Sequence, residues 1–332
     1  LFAKRGEMTI AVTGATGFIG SHLVEALLQR GNRVVCLIRK TSNLRWLRNL
    51  NLEFVYGDLR NGENLEQFVS EADQIFHLAG LTKARGETEY FAVNTLSTQR
   101  LLKVIEKVNP NLQRFVFLSS AAAAGPSPNS IPVRESDPVA PITSYGRSKA
   151  EAEKIVLSFS SKLPVTIIRP PAVYGPRDRD VYVYFKWTQR GVQVLIGKNR
   201  QLSLVFVKNL VQGTLAAAEH SAAIGEIFFI TDDGIFTWEY LNELIARALE
   251  VRPICLHFSE SLLNVMAVFA EAYGKIIRKP ILLNREKIRD ISQRYWICDN
   301  SKARQVLGFI PPHPTAKAIQ ETADWYRKHG WL

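Results

Sequence analysis

Short apolar runs alternate with stretches of helical periodicity along the first half of the chain. The runs are rich in Val, Ile, Leu and Phe and predict buried strands; they occupy residues 8–12, 33–38, 52–56, 74–79, 114–118 and 165–168. Apolar residues at helical spacing predict helices between them, at residues 18–29, 64–70, 89–108 and 148–158. Strands separated by helices pair in parallel through right-handed crossovers, and wholly apolar strands are typical of a sheet buried on both faces. The pattern predicts an α/β fold with a doubly wound parallel sheet.

The regular alternation of predicted strands and helices ends after residue 169. Further short strands are predicted at residues 192–196, 202–207 and 226–230, and a long apolar helix at residues 262–277. No internal repeat or low-complexity linker divides the chain. We therefore expect a larger domain over residues 8–175, to which some later segments return. A smaller mixed α/β lobe over residues 176–332 is expected to bind the substrate.

Composition places the chain among ordinary folded proteins. It has 332 residues, of which 46% are hydrophobic and 22% charged. Its three cysteines are scattered without metal-ligand spacing, which predicts reduced thiols, no metal site and a cytoplasmic location. No apolar run reaches the roughly 18 residues of a membrane span.

The net charge of +11 is concentrated at the two ends of the chain. Residues 1–50 and 251–332 each carry a net +6. A basic chain can bind nucleic acid or an anionic membrane surface. The basic residues are scattered, however, and no nucleic-acid motif is visible. A phosphate-rich cofactor explains the excess equally well, so we expect a small-molecule substrate and no nucleic-acid partner.

The segment 13–20 reads TGATGFIG and lies between the first strand and the first helix. Gly14 permits a tight turn, and Gly17 lets the backbone approach a pyrophosphate that the helix N-terminus favours. Gly20 lets the helix pack closely on the sheet. A glycine triplet at this junction predicts a dinucleotide-binding loop.

The G-x-x-G-x-x-G spacing resembles that of the extended branch of the short-chain dehydrogenase/reductase superfamily. Further motifs of that family follow in order along nearly the whole chain: Asp58-Leu59, His77-Leu78-Ala79-Gly80, Asn94, Ser119-Ser120, YGRSK at 145–149, RPPAVYGP at 169–176 and, near the end, DNSKA at 299–303 followed by LGF at 307–309. The resemblance implies a Rossmann fold and hydride transfer with a nicotinamide cofactor. It also implies a homodimer, with the helices at 89–108 and 148–158 as the candidate contacts.

The resemblance further assigns residues to the cofactor. These are Gly14, Thr16, Gly17, Phe18, Ile19, Gly20, Asp58, Leu59, Leu78, Ala79, Gly80, Asn94, Tyr145, Lys149, Pro171, Ala172 and Val173. Asp58 is expected to bind the adenine amino group, with a turn-forming Asp as the alternative. Asn94 is expected to order a water or backbone behind Lys149. His77 is interpreted as structural.

The end of the second strand bears on the choice between NADP and NAD. NAD-preferring members usually place an acidic residue there to bind the ribose hydroxyls. This chain has Arg39 and Lys40 instead. These cations would pair with a 2′-phosphate, so we predict that NADP(H) is favoured over NAD(H). The alternative is two solvated charges after a strand.

Tyr145 and Lys149 are four residues apart, which places them on one face of a helix. A nearby ammonium favours phenolate and lowers a phenol pKa from its usual value near 10. Lys149 would thereby make Tyr145 a usable acid or base, and Ser120 would hydrogen-bond the reacting oxygen. We predict that these three residues are catalytic.

Two alternatives to this catalytic assignment exist in the chain. Tyr182 and Lys186 form a second Y-x-x-x-K, but they follow the cofactor-binding strands. Tyr145 opens the helix before the sixth strand, as in the family. Ser119 is the alternative to Ser120, and alignment with the family favours Ser120.

The sequence gives less information about the substrate class than about the catalytic residues. Nucleotide-sugar members carry an Arg before a strand of the second lobe, where this chain has Leu202, although Arg200 is near enough to substitute. The apolar segment 262–270 is followed by basic residues and could form core, a lid over an apolar pocket, or a peripheral membrane contact.

These features resemble the 3β-hydroxysteroid dehydrogenase and dihydroflavonol reductase members. We predict an oxidoreductase that interconverts a secondary alcohol and a ketone on an apolar, ring-type substrate. A nucleotide-sugar epimerase or dehydratase is the first alternative, and a non-catalytic NAD(P)-binding sensor the second.

Overall fold

The computed structural model of the chain describes residues 8–84, 86–197, 199–258 and 285–332. The helix predicted at 262–277 lies outside these ranges.

Seven parallel strands form the central sheet: β1 (Thr9–Thr13), β2 (Arg33–Ile38), β3 (Glu53–Tyr56), β4 (Gln74–His77), β5 (Arg114–Leu118), β6 (Val165–Arg169) and β11 (Ile227–Phe229). Their spatial order is β11-β6-β5-β4-β1-β2-β3. The order reverses between β1 and β4, which is where doubly wound sheets bind ligands at the carboxyl ends of their strands. The predicted doubly wound parallel sheet is confirmed.

Helices cover both faces of the sheet. The helices of the chain are α1 (Phe18–Gln29), α2 (Leu65–Val69), α3 (Glu87–Tyr90), α4 (Ser97–Val108), α5 (Ala121–Ala124), α6 (Ser144–Ser158), α7 (Tyr182–Gln189), α8 (Val207–Glu219), α9 (Trp238–Leu249), α10 (Arg285–Ile291), α11 (Ser301–Leu307) and α12 (Thr315–Lys328). One apolar core joins the sheet to α1 and α8, and a second joins its other face to α2, α4 and α6. The wholly apolar strands are therefore buried from both sides.

The smaller lobe is built from short strand pairs and the aromatic faces of α7, α9 and α12. Its strands are β7 (Ala172–Tyr174), β8 (Val192–Ile196), β9 (Gln201–Leu202), β10 (Leu204–Phe206), β12 (Phe236–Thr237), β13 (Ile254–Phe258) and β14 (Tyr295–Trp296). They pair as β7–β10, β8–β13 and β12–β9–β14. A third apolar core, which includes Tyr174, Phe185 and Tyr326, fills this lobe.

Several predicted elements differ in the structure. The strand predicted at 226–230 is β11, which pairs with β6 and completes the central sheet, because its phenylalanines are apolar enough to be fully buried there. The strand predicted at 202–207 is divided into β9 and β10, and Val207 opens α8. The helix predicted from residue 148 begins at Ser144, because the Thr143 side chain accepts a hydrogen bond from Gly146 N and caps it. A domain boundary at residue 175 stays a prediction.

The helix predicted at 89–108 is interrupted. α3 passes into a π-helix at Phe91–Leu96, which continues as α4. Single π-helical turns are rare and often occur at functional sites.

Among the helices of the described ranges, none has both the length and the apolar character that crossing a membrane requires.

Candidate active site

The glycine loop is pressed against the end of β4. Gly14 has φ +72°, and a Cβ on it would lie 2.6 Å from Ala79 N. A Cβ on Gly20 would lie 2.2 Å from Gly14 O, and one on Gly17 would lie 3.2 Å from the same oxygen. Glycine is therefore required at Gly14 and Gly20 by close backbone contact. The predicted roles of a tight turn and close helix packing fit these contacts.

The first turn of α1 directly follows this glycine loop and has no side-chain cap among the described residues. Gly17 precedes α1 in an extended conformation. The first N–H groups of a helix need partners, and a phosphate supplies them with charge that the helix dipole favours. The loop and helix start together fit the pyrophosphate of a dinucleotide.

His77 is buried at the end of β4, where it joins three elements. Its Nδ1 lies 2.7 Å from Thr13 Oγ1, and its Nε2 lies 2.9 Å from Thr98 Oγ1. Thr98 donates its own proton to the carbonyl of Asn94 at 2.7 Å, so it accepts from His77 Nε2–H. Thr13 then donates to Nδ1. The imidazole is neutral and connects β4 to β1 and α4, which agrees with the structural interpretation.

The burial of His77 predicts an acid-dependent loss of stability. Burial, with a contribution from Lys149, lowers the pKa of His77 to about 3 from 6.5. Between these two values the unfolded chain binds a proton that the folded chain does not, so stability falls as pH falls below 6.5. From pH 7 to pH 5 the loss from His77 alone is about 2 kcal/mol.

Urea unfolding at the two pH values measures this loss. We expect the free energy of unfolding of His77→Gln to depend on pH by about 2 kcal/mol less than that of the wild type, whatever its absolute stability. An equal dependence in both proteins would contradict a buried neutral His77.

Lys149 lies buried at the carboxyl edge of the sheet. Its Nζ donates to the carbonyl of Leu118, the last residue of β5, at 2.6 Å. The same nitrogen lies 4.1 Å from the ring centre of Phe117, within cation–π range. Burial lowers the pKa of Lys149 to about 7, although the Glu153 carboxylate opposes this shift. The ammonium therefore titrates near neutral pH in a site next to the glycine loop and β4.

Asn94 connects the π-helix to the surroundings of Lys149. Its side chain accepts from Leu81 N at 2.7 Å and donates to Leu81 O at 3.1 Å and to Ser148 Oγ at 2.9 Å. A Cβ on Gly80 would lie 3.3 Å from Asn94 Oδ1 and 3.9 Å from Lys149 Nζ. Asn94 therefore holds the loop that follows β4 against α6. Ordering of backbone behind Lys149, which the sequence predicted, fits this arrangement.

Tyr145 and Ser120 are brought together across the same edge. Ser120 Oγ accepts from Ala122 N at 3.1 Å, which fixes its position at the start of α5, and the Ser120 side chain lies close enough to the Tyr145 phenol to affect its pKa. Burial raises the pKa of Tyr145 to about 12, while the Ser120 side chain acts in the opposite direction. The predicted lowering of the Tyr145 pKa is therefore wrong for the protein without a cofactor, because burial outweighs it. Tyr145 is a protonated phenol in this state and can act as a proton donor.

A family model described as the NAD dependent epimerase/dehydratase family matches residues 10–230. The chain belongs to this family. Family membership makes the protein an NAD(P)-dependent enzyme of the extended short-chain dehydrogenase/reductase type. The resemblance predicted from its motifs is confirmed, and an enzyme is favoured over a non-catalytic sensor.

Relatives of the chain include both dehydrogenases and epimerases. A ceramide reductase of Caulobacter vibrioides is 27% identical over 97% of this chain and 96% of its own. A 3-beta-hydroxysteroid dehydrogenase of Mycolicibacterium neoaurum is 28% identical over 96% and 91%. A UDP-glucose 4-epimerase of Vibrio cholerae is also 28% identical, over 97% and 96%. Full-length similarity thus extends to two reaction classes of the epimerase/dehydratase family.

The alternative catalytic residues lie in different environments in this family member. Ser119 Oγ donates to Glu153 Oε1 at 2.5 Å and lies behind the site. Tyr182 donates to the carbonyl of Trp331, and its ring packs edge-on against Tyr326 at 5.2 Å in the core of the smaller lobe. The geometry favours Ser120 over Ser119 and Tyr145 over Tyr182, and the catalytic roles themselves stay predictions.

Arg39 and Lys40 are exposed directly after β2. Arg39 lies near Asp58, whose carboxylate is paired with Arg60 at 2.8 Å. Arg60, with a smaller contribution from Arg39, holds the pKa of the Asp58 carboxyl below its usual range. An adenine amino group would therefore share this carboxylate with Arg60. The carbonyl of the neighbouring Leu59, another residue predicted to bind the cofactor, accepts from Arg100 at 2.9 Å.

The segment that starts β7 continues the site beyond α5. Ala121 N donates to Pro170 O at 2.8 Å, which joins the start of α5 to the residues before β7. Pro171 and Val173 are half-buried and Ala172 is exposed, while β7 pairs with β10. The backbone at residues 171–173, which is predicted to lie beside the nicotinamide, is therefore joined by this hydrogen bond to the residue after Ser120. Thr16, Phe18 and Ile19 are half-buried around the start of α1, and Leu78 follows β4.

Sequence reasoning missed the buried charges behind the site. Glu153 and Arg169 form an ion pair with exposed side-chain fractions of only 4% and 2%. A charged residue inside the apolar run VTIIR was the available signal for Arg169. Among the described residues, no group of three or more His, Cys, Asp or Glu could hold a metal ion.

Proposed function

We propose that the protein is an NADP(H)-dependent oxidoreductase that interconverts a secondary alcohol and a ketone on an apolar, ring-type substrate. The observation that carries this proposal is the placement of Ser120 and Tyr145 at the edge of the sheet where Lys149 is buried beside the carbonyl of Leu118 and the residues after β4. Two neighbouring hydroxyl groups can bind one carbonyl or alcohol oxygen.

A bound nicotinamide would supply or accept the hydride. In ketone reduction, Ser120 orients the carbonyl oxygen and Tyr145 gives it a proton as the hydride arrives at the carbon. In alcohol oxidation, the same proton returns to Tyr145. The Lys149 ammonium stabilises the phenolate that forms, since a nearby cation favours the charged phenol.

The substrate class is supported by the smaller lobe and by the relatives. Leu202, at the position where nucleotide-sugar members carry an Arg, is buried in the apolar core of this lobe. The Arg200 side chain is 5% exposed and donates to the carbonyl of Ile291. A ceramide reductase and a 3-beta-hydroxysteroid dehydrogenase, whose names indicate apolar substrates, match nearly the whole chain. These observations favour an apolar alcohol over a sugar diphosphate.

A nucleotide-sugar epimerase is the second candidate, since the Vibrio cholerae epimerase matches the chain equally well. Calorimetric titration of the NADP⁺-saturated protein separates the two. We expect no binding of UDP or UDP-glucose and measurable binding of a steroid or terpenoid alcohol. Micromolar binding of UDP-glucose without binding of any apolar alcohol would favour the epimerase.

NADP(H) preference is assigned to Arg39. Removing one charge-assisted hydrogen bond to a 2′-phosphate costs roughly 1.5–3 kcal/mol. Arg39→Ala is therefore expected to weaken NADPH binding by about 10- to 100-fold and to leave NADH binding unchanged. Fluorescence titration of both cofactors measures this, with Arg48→Ala as a control because Arg48 is another exposed arginine of the same loop. Equal losses for NADPH and NADH would contradict the assignment.

A further inference from the structure

Glu153 lies one helical turn beyond Lys149 on α6, and its carboxylate accepts three hydrogen bonds from two residues. Arg169 Nε donates to Oε1 at 2.9 Å and Arg169 Nη2 donates to Oε2 at 2.7 Å, which is a bidentate pair. Ser119 Oγ donates to Oε1 at 2.5 Å. Glu153 therefore has a fixed position beneath the catalytic edge of the sheet.

These contacts connect the strand ends that carry the site. Ser119 N donates to the carbonyl of Ile168 at 2.7 Å, which joins the end of β5 to β6. Lys149 Nζ donates to the carbonyl of Leu118, the residue before Ser119. Ser120, which lies near Tyr145, follows immediately. One carboxylate thus ties α6 to the segment that supplies both the Lys149 acceptor and Ser120.

We propose that Glu153 is a positioning residue that keeps Lys149 charged and directed at the end of β5, so that Lys149 can support proton transfer by Tyr145. This inference rests on the proposed function of the Ser120, Tyr145 and Lys149 site. Glu153 acts through Lys149 and does not itself touch the reacting atoms.

The charges around Lys149 support this role. On its own helix, Tyr145 and Glu153 face it. The neighbouring residue of β4 is His77, which is neutral. The neighbouring residue of the π-helix is Asn94, which is uncharged. Arg169 of β6 pairs with Glu153. On the outer face of α6, Glu87 and Glu286 pair with Arg147. Among these groups, Glu153 is the carboxylate whose charge acts on the Lys149 ammonium, while its hydrogen bonds are made by Arg169 and Ser119.

The ion pair is better explained by this role than by stability. A buried ion pair gives little net stabilisation because both charges lose their hydration. Arg169 Nη1 is also buried without a hydrogen-bond partner in the described part of the chain, which is a further cost. An apolar pair would fill the same space without these costs. The carboxylate, however, opposes the effect of burial on the pKa of Lys149.

Lysine-selective ¹³C labelling of the full chain tests the inference without any substrate. The Lys149 signal is assigned by its absence from Lys149→Met, and its titration midpoint is read in each variant. Glu153→Gln is expected to lower this midpoint by about one pH unit, since it removes an attractive charge within one helical turn. Glu151→Gln, the same change at an exposed position of α6, is expected to keep the wild-type midpoint.

A second variant keeps the test decisive if Glu153→Gln does not fold. Glu153→Gln combined with Arg169→Met removes both buried charges and leaves neither uncompensated. We expect it to lower the midpoint in the same direction by a smaller amount, and the alkaline limb of kcat for ketone reduction to move with it. A wild-type Lys149 midpoint in the folded variants would overturn the inference. Absence of turnover by the wild-type enzyme would instead overturn the proposed function alone, because the Lys149 titration needs no substrate.

Discussion

Tyr145→Phe is expected to lower kcat by about 10²- to 10⁴-fold, the usual contribution of a positioned acid or base. The change removes the hydroxyl that lies near Ser120 and keeps the ring, whose centre lies 6.0 Å from that of Tyr90. The fold and the cofactor site are thereby preserved. Steady-state kinetics measures kcat, and titration of NADPH measures the affinity for the cofactor in the same variant.

Tyr182→Phe is the matched control, because Tyr182 belongs to the other Y-x-x-x-K of the chain. Its hydroxyl bonds the Trp331 carbonyl in the core of the smaller lobe. We expect wild-type kcat and a loss of about 1 kcal/mol in the free energy of unfolding, the value of one hydrogen bond. A loss of kcat in Tyr182→Phe comparable to that in Tyr145→Phe would contradict the assignment of the catalytic pair.

Gly20→Ala is expected to abolish cofactor binding. The added methyl group would lie 2.2 Å from Gly14 O and 2.9 Å from Ala15 Cα, so the glycine loop and α1 must move apart. Overpacking of this kind costs about 3 kcal/mol of stability. It also displaces the backbone that would face the pyrophosphate. Urea unfolding and NADPH fluorescence titration measure the two losses.

Gly86→Ala provides the control for this change. Gly86 has φ −175°, an extended conformation open to any residue, and no atom lies within 4 Å of its Cβ position among the described residues. The free energy of unfolding of Gly86→Ala is expected to stay within about 0.5 kcal/mol of that of the wild type. NADPH binding by Gly20→Ala at wild-type affinity would show that the loop does not hold the cofactor.

The close contacts of the glycine loop and the placement of Tyr145 and Lys149 on one helix could be predicted because their requirements are local. Three glycines at fixed spacing between a strand and a helix specify a turn and two close backbone contacts. Tyr145 and Lys149 share a helix face through their spacing alone. The choice between Ser119 and Ser120 needed the structure, since adjacent residues after a strand point in different directions.

The remaining features depend on contacts between distant segments. Glu153 and Arg169 belong to a helix and a strand, and neither local pattern shows that their side chains meet. β11 joins the central sheet only because β6 presents a free edge, which the local pattern of residues 226–230 does not reveal. The π-helix that carries Asn94 has no distinct signal within a continuous helical period.

Oxidation of an apolar secondary alcohol by the purified enzyme with NADP⁺ tests the central claim most directly. Steroid, terpenoid and flavonoid alcohols are supplied singly, NADPH is followed by its near-ultraviolet absorbance, and the product is identified by mass spectrometry. We predict NADPH and the corresponding ketone in equal amounts with at least one alcohol, and loss of both in Tyr145→Phe. Conversion of UDP-glucose to UDP-galactose without net reduction of the cofactor, and no ketone from any alcohol, would contradict the account.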